Sequence, residues 1–225
     1  MKKTSLFAAS FLSLTTLLSY AADNRQIPLC APYAIRSKGL IDDHILFEAV
    51  KSGDHLAVET CLAQGAYVYA KDANGEEPIH HASTPSMVQT LRAYRANLEA
   101  KNRYGVTALF QAFEDGEFSL AEELLAQGAD INTQDSADCT PLHTAVLQAD
   151  QGSGENLKFI RLAIAYNADL EVQDEGGDTP LNIAAQFRYW PEVQLLLAAG
   201  ASVHTTNDDG ECPLDFLSVT HHTNQ

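Results

Sequence analysis

Basic residues almost vanish from the second half of this sequence. Residues 104–225 hold three (Lys158, Arg161 and Arg188) against 20 acids, whereas residues 22–103 hold 9 bases and 10 acids. A surface so short of positive charge repels nucleic acid and anionic lipid, which argues against both as partners. It suits a protein partner with a basic surface, or solubility alone, since acids help most there. Long apolar runs are also missing after the chain's opening segment: no later stretch approaches the ~20 apolar residues of a membrane-spanning helix. Cysteine is scarce, at 4 residues. No Cys-x-x-Cys or His-Glu-x-x-His spacing suggests a zinc centre.

The one apolar run stands at the start. Lys2 and Lys3 precede LFAASFLSLTTLL and then small residues, the layout of a secretory signal peptide over residues 1–21. Cleavage after Ala21 places Ser19 and Ala21 at the two positions that must be small. It leaves residues 22–225 with 12 bases and 30 acids, a net charge of −18. The short, Lys-Lys-led leader points to a bacterial periplasm, with secretion as the alternative. No cysteine stands at the cleavage point to carry a lipid anchor.

What the sequence has in plenty is self-similarity. GEEPIHHA (75–82), GVTALFQA (105–112), DCTPLHTA (138–145), GDTPLNIA (177–184) and GECPLDFL (210–217) recur at spacings of 30, 33, 39 and 33 residues. A second signature interleaves with them and trails most copies: CLAQGAYVYAKD (61–72), LRAYRANLEAKN (91–102), LLAQGADINTQD (124–135), AIAYNADLEVQD (163–174) and LLAAGASVHTTN (196–207). Pro78, Pro141, Pro180 and Pro213 suit the first turn of a helix, where the missing N–H costs nothing. Thr140 and Thr179 just before them can cap it. Gly65, Gly128 and Gly200, or Asn167 in their place, can end the following helix in the left-handed conformation. Each unit reads as two antiparallel helices and a turn. None can bury its apolar face alone, so the units stack into a solenoid.

These interleaved starts and ends resemble the ankyrin repeat family over about residues 41–225. The resemblance implies an all-α ankyrin-repeat solenoid of about six helix–turn–helix repeats with hairpin loops, following an N-terminal segment at 22–40. The repeats fall at about 41–71, 72–101, 102–134, 135–173, 174–206 and 207–225, the first and last acting as caps. Two departures stand out. Thr84-Pro85 tightens the turn between the helices of the second repeat, and ADQGSGEN (149–156) lengthens that of the fourth.

Cys139, Thr140 and His143 place a thiol, a hydroxyl and an imidazole within five residues. Catalysis by them would need a base, an orienting group and an oxyanion hole converging on a pocket. The slot of His80 and His143 holds Phe110, Asn182 and Asp215 in the sister copies, so it does not demand an imidazole. The resemblance implies instead that this histidine and threonine tie adjacent repeats together. Thr140, Pro141, His143, His80, Thr179 and Pro180 are therefore expected to be structural, and the chain is expected not to be an enzyme. The pairs His80-His81 and His221-His222 are not natural chelates, because neighbours on a helix point about 100° apart; no metal and no cofactor are expected. In an oxidising compartment a Cys30–Cys61 disulfide would staple the N-terminal segment over the end of the solenoid. Cys139 and Cys212 lie two repeats apart, near 20 Å by the ~8–10 Å spacing of packed helices, too far to bridge.

Ankyrin domains resemble a cupped hand that binds proteins on its concave face, along hairpin tips and first helices. Carried onto this sequence, the partner-binding residues are Tyr104, Val106, Glu114, Asp115, Cys139, Gln148, Glu175, Asp178, Gln186, Phe187, Asp208, Asp209 and Glu211. The expectation is a monomeric, non-catalytic periplasmic binding module with a basic protein partner, such as an inhibitor or immunity protein against a basic toxin or enzyme. The alternatives are an accessory protein of oxidative defence or a secreted effector acting on host proteins.

Overall fold

The computed structural model describes residues 43–151 and 154–218. The expected leader, the 22–40 segment with Cys30, and His221-His222 lie outside the described residues. Helices follow one another in pairs. α1 (Asp43–Ser52) precedes α2 (His55–Ala63), and a 3-10 turn (Pro78–His81) precedes α3 (Pro85–Ala93). Then come α4 (Ala108–Glu114) with α5 (Phe118–Ala126), and α6 (Pro141–Leu147) with α7 (Asn156–Ala165), a second 3-10 turn (Gln148–Gln151) lying between the latter two. α8 (Pro180–Gln186) pairs with α9 (Trp190–Ala198), and α10 (Pro213–Ser218) opens a sixth unit. First helices stack on first helices, α4 on α6, α6 on α8 and α8 on α10. Second helices do the same, α3 on α5, α5 on α7 and α7 on α9. About five repeats are thus complete.

The stacking follows from local chemistry. Thr107 and Thr179 accept hydrogen bonds from the backbone N–H three residues on, at 3.3 and 3.2 Å, and so cap α4 and α8. Gly65, Gly128 and Gly200 take φ of 96°, 94° and 99°, and Asn167 takes 58° in the same place. Leu46, Val58, Leu91, Leu109, Leu124, Leu142, Ile160, Leu181 and Leu196 lie at 0–1% exposure in one continuous core. Each such side chain contributes on the order of 1.5–3 kcal/mol.

The second repeat departs from the pattern for a physical reason. Pro85 forces Thr84 into an extended conformation, φ −139° and ψ 148°. The unit's first helix therefore shrinks to the 3-10 turn Pro78–His81, and Thr84 caps α3 through Met87 N–H at 3.2 Å. In the fourth repeat, the stretch expected as a surface loop ends in the first residue of α7. Asn156 is buried there and donates to Glu192 Oε1 at 2.7 Å, tying α7 to α9.

Candidate functional site

The hairpin tips are built on one repeated device. Asp72 Oδ1 accepts the N–H groups of Asn74 and Glu76, at 2.8 and 3.0 Å. Asn102 does this for Tyr104 and Val106, Asp135 for Ala137 and Cys139, and Asp174 for Gly176 and Asp178. Each tip then leans on the previous one. Arg103 N–H donates to Asn74, Ser136 to Tyr104, Glu175 to Ala137 and Asp208 to Gly176, all at 3.0–3.1 Å between backbone atoms. The approach is close: a Cβ on Gly105 or Gly177 would stand 2.8 Å from the backbone nitrogen of Ser136 or Asp208.

Beneath the tips runs a second tie. Nδ1 of His143 accepts the N–H and hydroxyl of Thr140, at 3.1 and 2.8 Å, which leaves Nε2–H to donate to the Asp178 carbonyl at 3.1 Å. His80 repeats this, Nδ1 taking Glu77 N–H and Nε2 donating to the Val106 carbonyl. Asn182 substitutes for the imidazole, with Oδ1 accepting from Thr179 and Nδ2 donating to the carbonyls of Thr205 and Glu211. In the third repeat Phe110 fills the slot, 2% exposed. His143 is fully enclosed, and burial pushes its pKa below the ordinary imidazole value despite the carbonyl and acids around it.

Cys139 and His143 do not form a reactive pair. The imidazole nitrogens are both engaged as described. Burial, with Asp135, Asp174 and Asp138 nearby, pushes the Cys139 thiol up to about 11, so the thiolate that nucleophilic chemistry needs is suppressed. No bond joins Cys61, Cys139 and Cys212 to one another. Cys61 is buried at 5% exposure.

The expected contact residues divide by exposure. Tyr104 is 53% exposed with the Arg103 guanidinium 4.8 Å from its ring centre. Phe187 is 55% exposed and stacks on Tyr189 at 5.6 Å. Glu114, Asp115, Glu175, Gln186, Asp208, Asp209 and Glu211 are exposed, and Cys139 is half-buried. Partial desolvation of the carboxyl first, then Asp115 and Asp135, raises Glu114 above its ordinary value. Three residues stand differently. Val106 corrects its assignment as a contact: its side chain is buried, and its carbonyl takes His80. Gln148 spends its amide on the carbonyls of Phe113 and Glu114, at 2.9 and 2.7 Å. Asp178 Oδ1 accepts Asn207 Nδ2 at 2.8 Å, a tip-to-tip bond.

Comparison with known sequences agrees with this architecture. The profile of ankyrin repeats, in three copies, matches residues 46–135 and 114–207. The chain belongs to the ankyrin repeat family. The putative ankyrin repeat protein YahD of Escherichia coli strain K12 is 26% identical over 201 residues, 73% of this chain and 98% of that protein. Human protein phosphatase 1 regulatory subunit 27 is 40% identical over 76 residues, 34% of this chain and 46% of that protein. Human neurogenic locus notch homolog protein 2 is 30% identical over 151 residues, 67% of this chain but only 6% of that protein. Ankyrin repeats of this kind are protein–protein interaction modules. Among the described residues no helix is long and apolar enough to cross a membrane.

One grouping within the ankyrin scaffold escaped the sequence reasoning. Asp72, Glu76 and His81 converge where the second tip meets its 3-10 turn. His81 Nε2 lies 3.2 Å from Asp72 Oδ2 and 3.4 Å from Glu76 Oε2. Burial pushes the Asp72 carboxyl up, but the N–H groups of Glu76 and Asn74, with His81, outweigh it and hold the group below its usual value. His81 also lines a cleft of about 320 Å³ with Gln111 and Asp115. Weighing His80 and His81 as a pair hid this, because His80 is spent on the repeat-to-repeat tie. The signal was the acid–x3–acid–x4–His register across tip and turn.

Proposed function

We propose that this chain is a non-catalytic binding module, exported to the periplasm, that takes a basic protein along its hairpin tips and first helices. The observation that carries this reading is the run of exposed acids on the last two tips, Glu175, Asp208, Asp209 and Glu211, with no base among them. Asp208 N–H bonds the Gly176 carbonyl, so these acids stand on adjacent, mutually braced loops. Exposed Phe187 and Trp190, at 55% and 42%, supply apolar anchors of the type enriched in binding hot spots. Rigid tips lower the ordering cost of binding, and acids at their ends raise the encounter rate with a cation-rich surface. An inhibitor or immunity protein that neutralises a basic toxin or enzyme fits this chemistry.

The test is capture from periplasmic extract, followed by association kinetics with the purified partner. The partner should be basic, leave at high salt, and bind several-fold more slowly to a D208K/D209K/E211K variant. An unchanged association rate would remove the tips from the interface. A gene neighbourhood without any toxin or secreted hydrolase would count against the inhibitor role.

A further inference from the structure

We propose that Asp72, Glu76 and His81 form a binding site for a single divalent transition-metal ion, with zinc the best fit. The ligand atoms lie within 4.8 Å of one another. The two edges from His81 Nε2 to the carboxylate oxygens, 3.2 and 3.4 Å, are the decisive dimensions. Tetrahedral zinc with bonds of about 2.0–2.2 Å sets neighbouring ligand atoms about 3.3–3.5 Å apart. These two atom pairs therefore already stand at or near the spacing an ion would impose.

The ligands are also aimed. Asp72 Oδ1 is occupied by two backbone N–H groups, which turns Oδ2 towards His81. Glu76 Oε1 accepts Asn102 Nδ2 at 3.5 Å, and its Oε2 faces His81. The His81 ring packs edge-on against Phe47, with centroids 5.5 Å apart. Partners of this outer kind orient metal ligands and tune their basicity. The three side chains are 14–23% exposed, so an ion can enter and keep water as its remaining ligand.

The sister tips supply an internal control. The corresponding registers hold Asn102, Val106 and Gln111; Asp135, Cys139 and Thr144; Asp174, Asp178 and Ile183; and Asn207, Glu211 and Phe216. The tips, numbered by their repeats two to six, all carry the Asp or Asn the loop needs. Only the second places a second carboxylate and an imidazole at the next two registers, so the trio is not a demand of the repeat. One imidazole with two carboxylates selects zinc, cobalt, nickel or copper over calcium and magnesium, which take oxygen ligands. The competing account is an ion pair, in which a protonated His81 bridges the two acids and no metal is needed.

The two accounts separate in a titration of the full-length, chelator-treated and reduced chain with zinc chloride by calorimetry, alongside thermal unfolding. We expect one ion per chain and a rise in the unfolding midpoint with zinc that calcium and magnesium do not reproduce. Cobalt should give the visible absorption of a tetrahedral centre. Each of H81Q, E76V and D72N copies a sister tip, so each should fold. Each should weaken zinc binding at least tenfold, while H204Q should not. Zinc that binds all three variants as tightly as the parent chain, or does not bind the parent chain saturably, overturns the site. A parent chain stabilised equally by all divalent ions does so as well.

Discussion

At the second tip Asp72 and Glu76 turn onto His81, at 3.2 and 3.4 Å. At the fifth tip the same registers hold Asp174 and Asp178, but Ile183 stands where His81 would be, and Asp178 takes the Asn207 amide instead. The backbone is the same in both: an acid at the first register accepts two N–H groups, and a glycine closes the turn at φ 75° or 76°. What differs is where the charge goes. The second tip faces its acids inward onto an imidazole, whereas the fifth braces its own acid against the next loop and leaves Glu175 and the following acids to solvent. A repeat scaffold thus holds geometry constant while single substitutions at fixed registers decide whether a carboxylate serves an internal site or an external surface.

The largest effect should come from breaking the spacing of the tips. A Cβ at Gly177 meets Asp208 N and Oδ1 at 2.8 Å, whereas one at Gly75 meets Arg103 N at 3.3 Å. Both positions have positive φ, so the contact distance is the difference between them. We expect Gly177→Ala to cost about 2–4 kcal/mol and Gly75→Ala about 1–2 kcal/mol. Urea unfolding at constant slope measures both, and equal losses would show that the fifth tip is no more tightly braced than the second.

Next is the tie beneath the tips. His143→Leu strands the Thr140 N–H and removes the donor to the Asp178 carbonyl, for a loss of about 2–3 kcal/mol. His143→Asn, which copies Asn182, should recover much of it. The pH dependence has a definite sign. The folded imidazole is held below its ordinary pKa, so the unfolded chain binds the proton more readily. The contribution is whole above about pH 6.5 and is lost as pH falls through and below that value. The asparagine variant should lack this term, and parallel pH profiles for the two proteins would contradict the buried neutral imidazole.

A gain should follow from correcting a register. Glu77 occupies the place of Thr107, Thr140 and Thr179 and is 7% exposed, with Oε2 buried and unpartnered. Burial raises its carboxyl above the usual value, against the pull of Lys71 and His80. The folded state therefore favours the protonated form, and stability is lost as pH rises through the raised pKa. Glu77→Thr should stabilise by about 1 kcal/mol at neutral pH, with the gain shrinking towards pH ~4. A gain that is flat with pH would place its origin in packing rather than charge.

The repeat period was legible because prolines, capping threonines and left-handed glycines punctuate each unit by local chemistry alone. The roles of His80 and His143 were legible for a related reason: Phe110 and Asn182 in the same slot ruled out a need for imidazole. Less could be read where the outcome depended on a neighbour. Val106 aligns with the half-buried Glu76, Cys139 and Asp178 and the exposed Glu211, yet its small apolar side chain turns inward while its carbonyl serves His80. Gln148 reads as a contact residue from its first-helix position, and the sequence does not show that its amide also bonds the preceding repeat's carbonyls. The left-handed turns at Arg95 and Arg188, φ 66° and 58°, lacked the glycine that marks them elsewhere. The trio at the second tip was hidden by reading histidines as sequence neighbours rather than by register across a turn.

The smallest expected effect bears most directly on why the acids face outward. Asp209 is exposed. Asp209→Lys should move stability by no more than about 0.5 kcal/mol, as for ordinary surface changes. The acidic half could deviate from this in one direction: with 20 acids and three bases in residues 104–225, self-repulsion can make each acid costly to the fold. In that case the substitution stabilises by about 1 kcal/mol at low ionic strength, and salt removes the difference. Unfolding at two salt concentrations distinguishes these results. A salt-sensitive gain would mean that the last tips keep charge at the expense of stability. That favours an external use, because solubility alone could be met by spacing the same acids apart. A loss larger than 1 kcal/mol would instead tie Asp209 into the fold, and the outward-facing half of the comparison would fail at its most exposed residue.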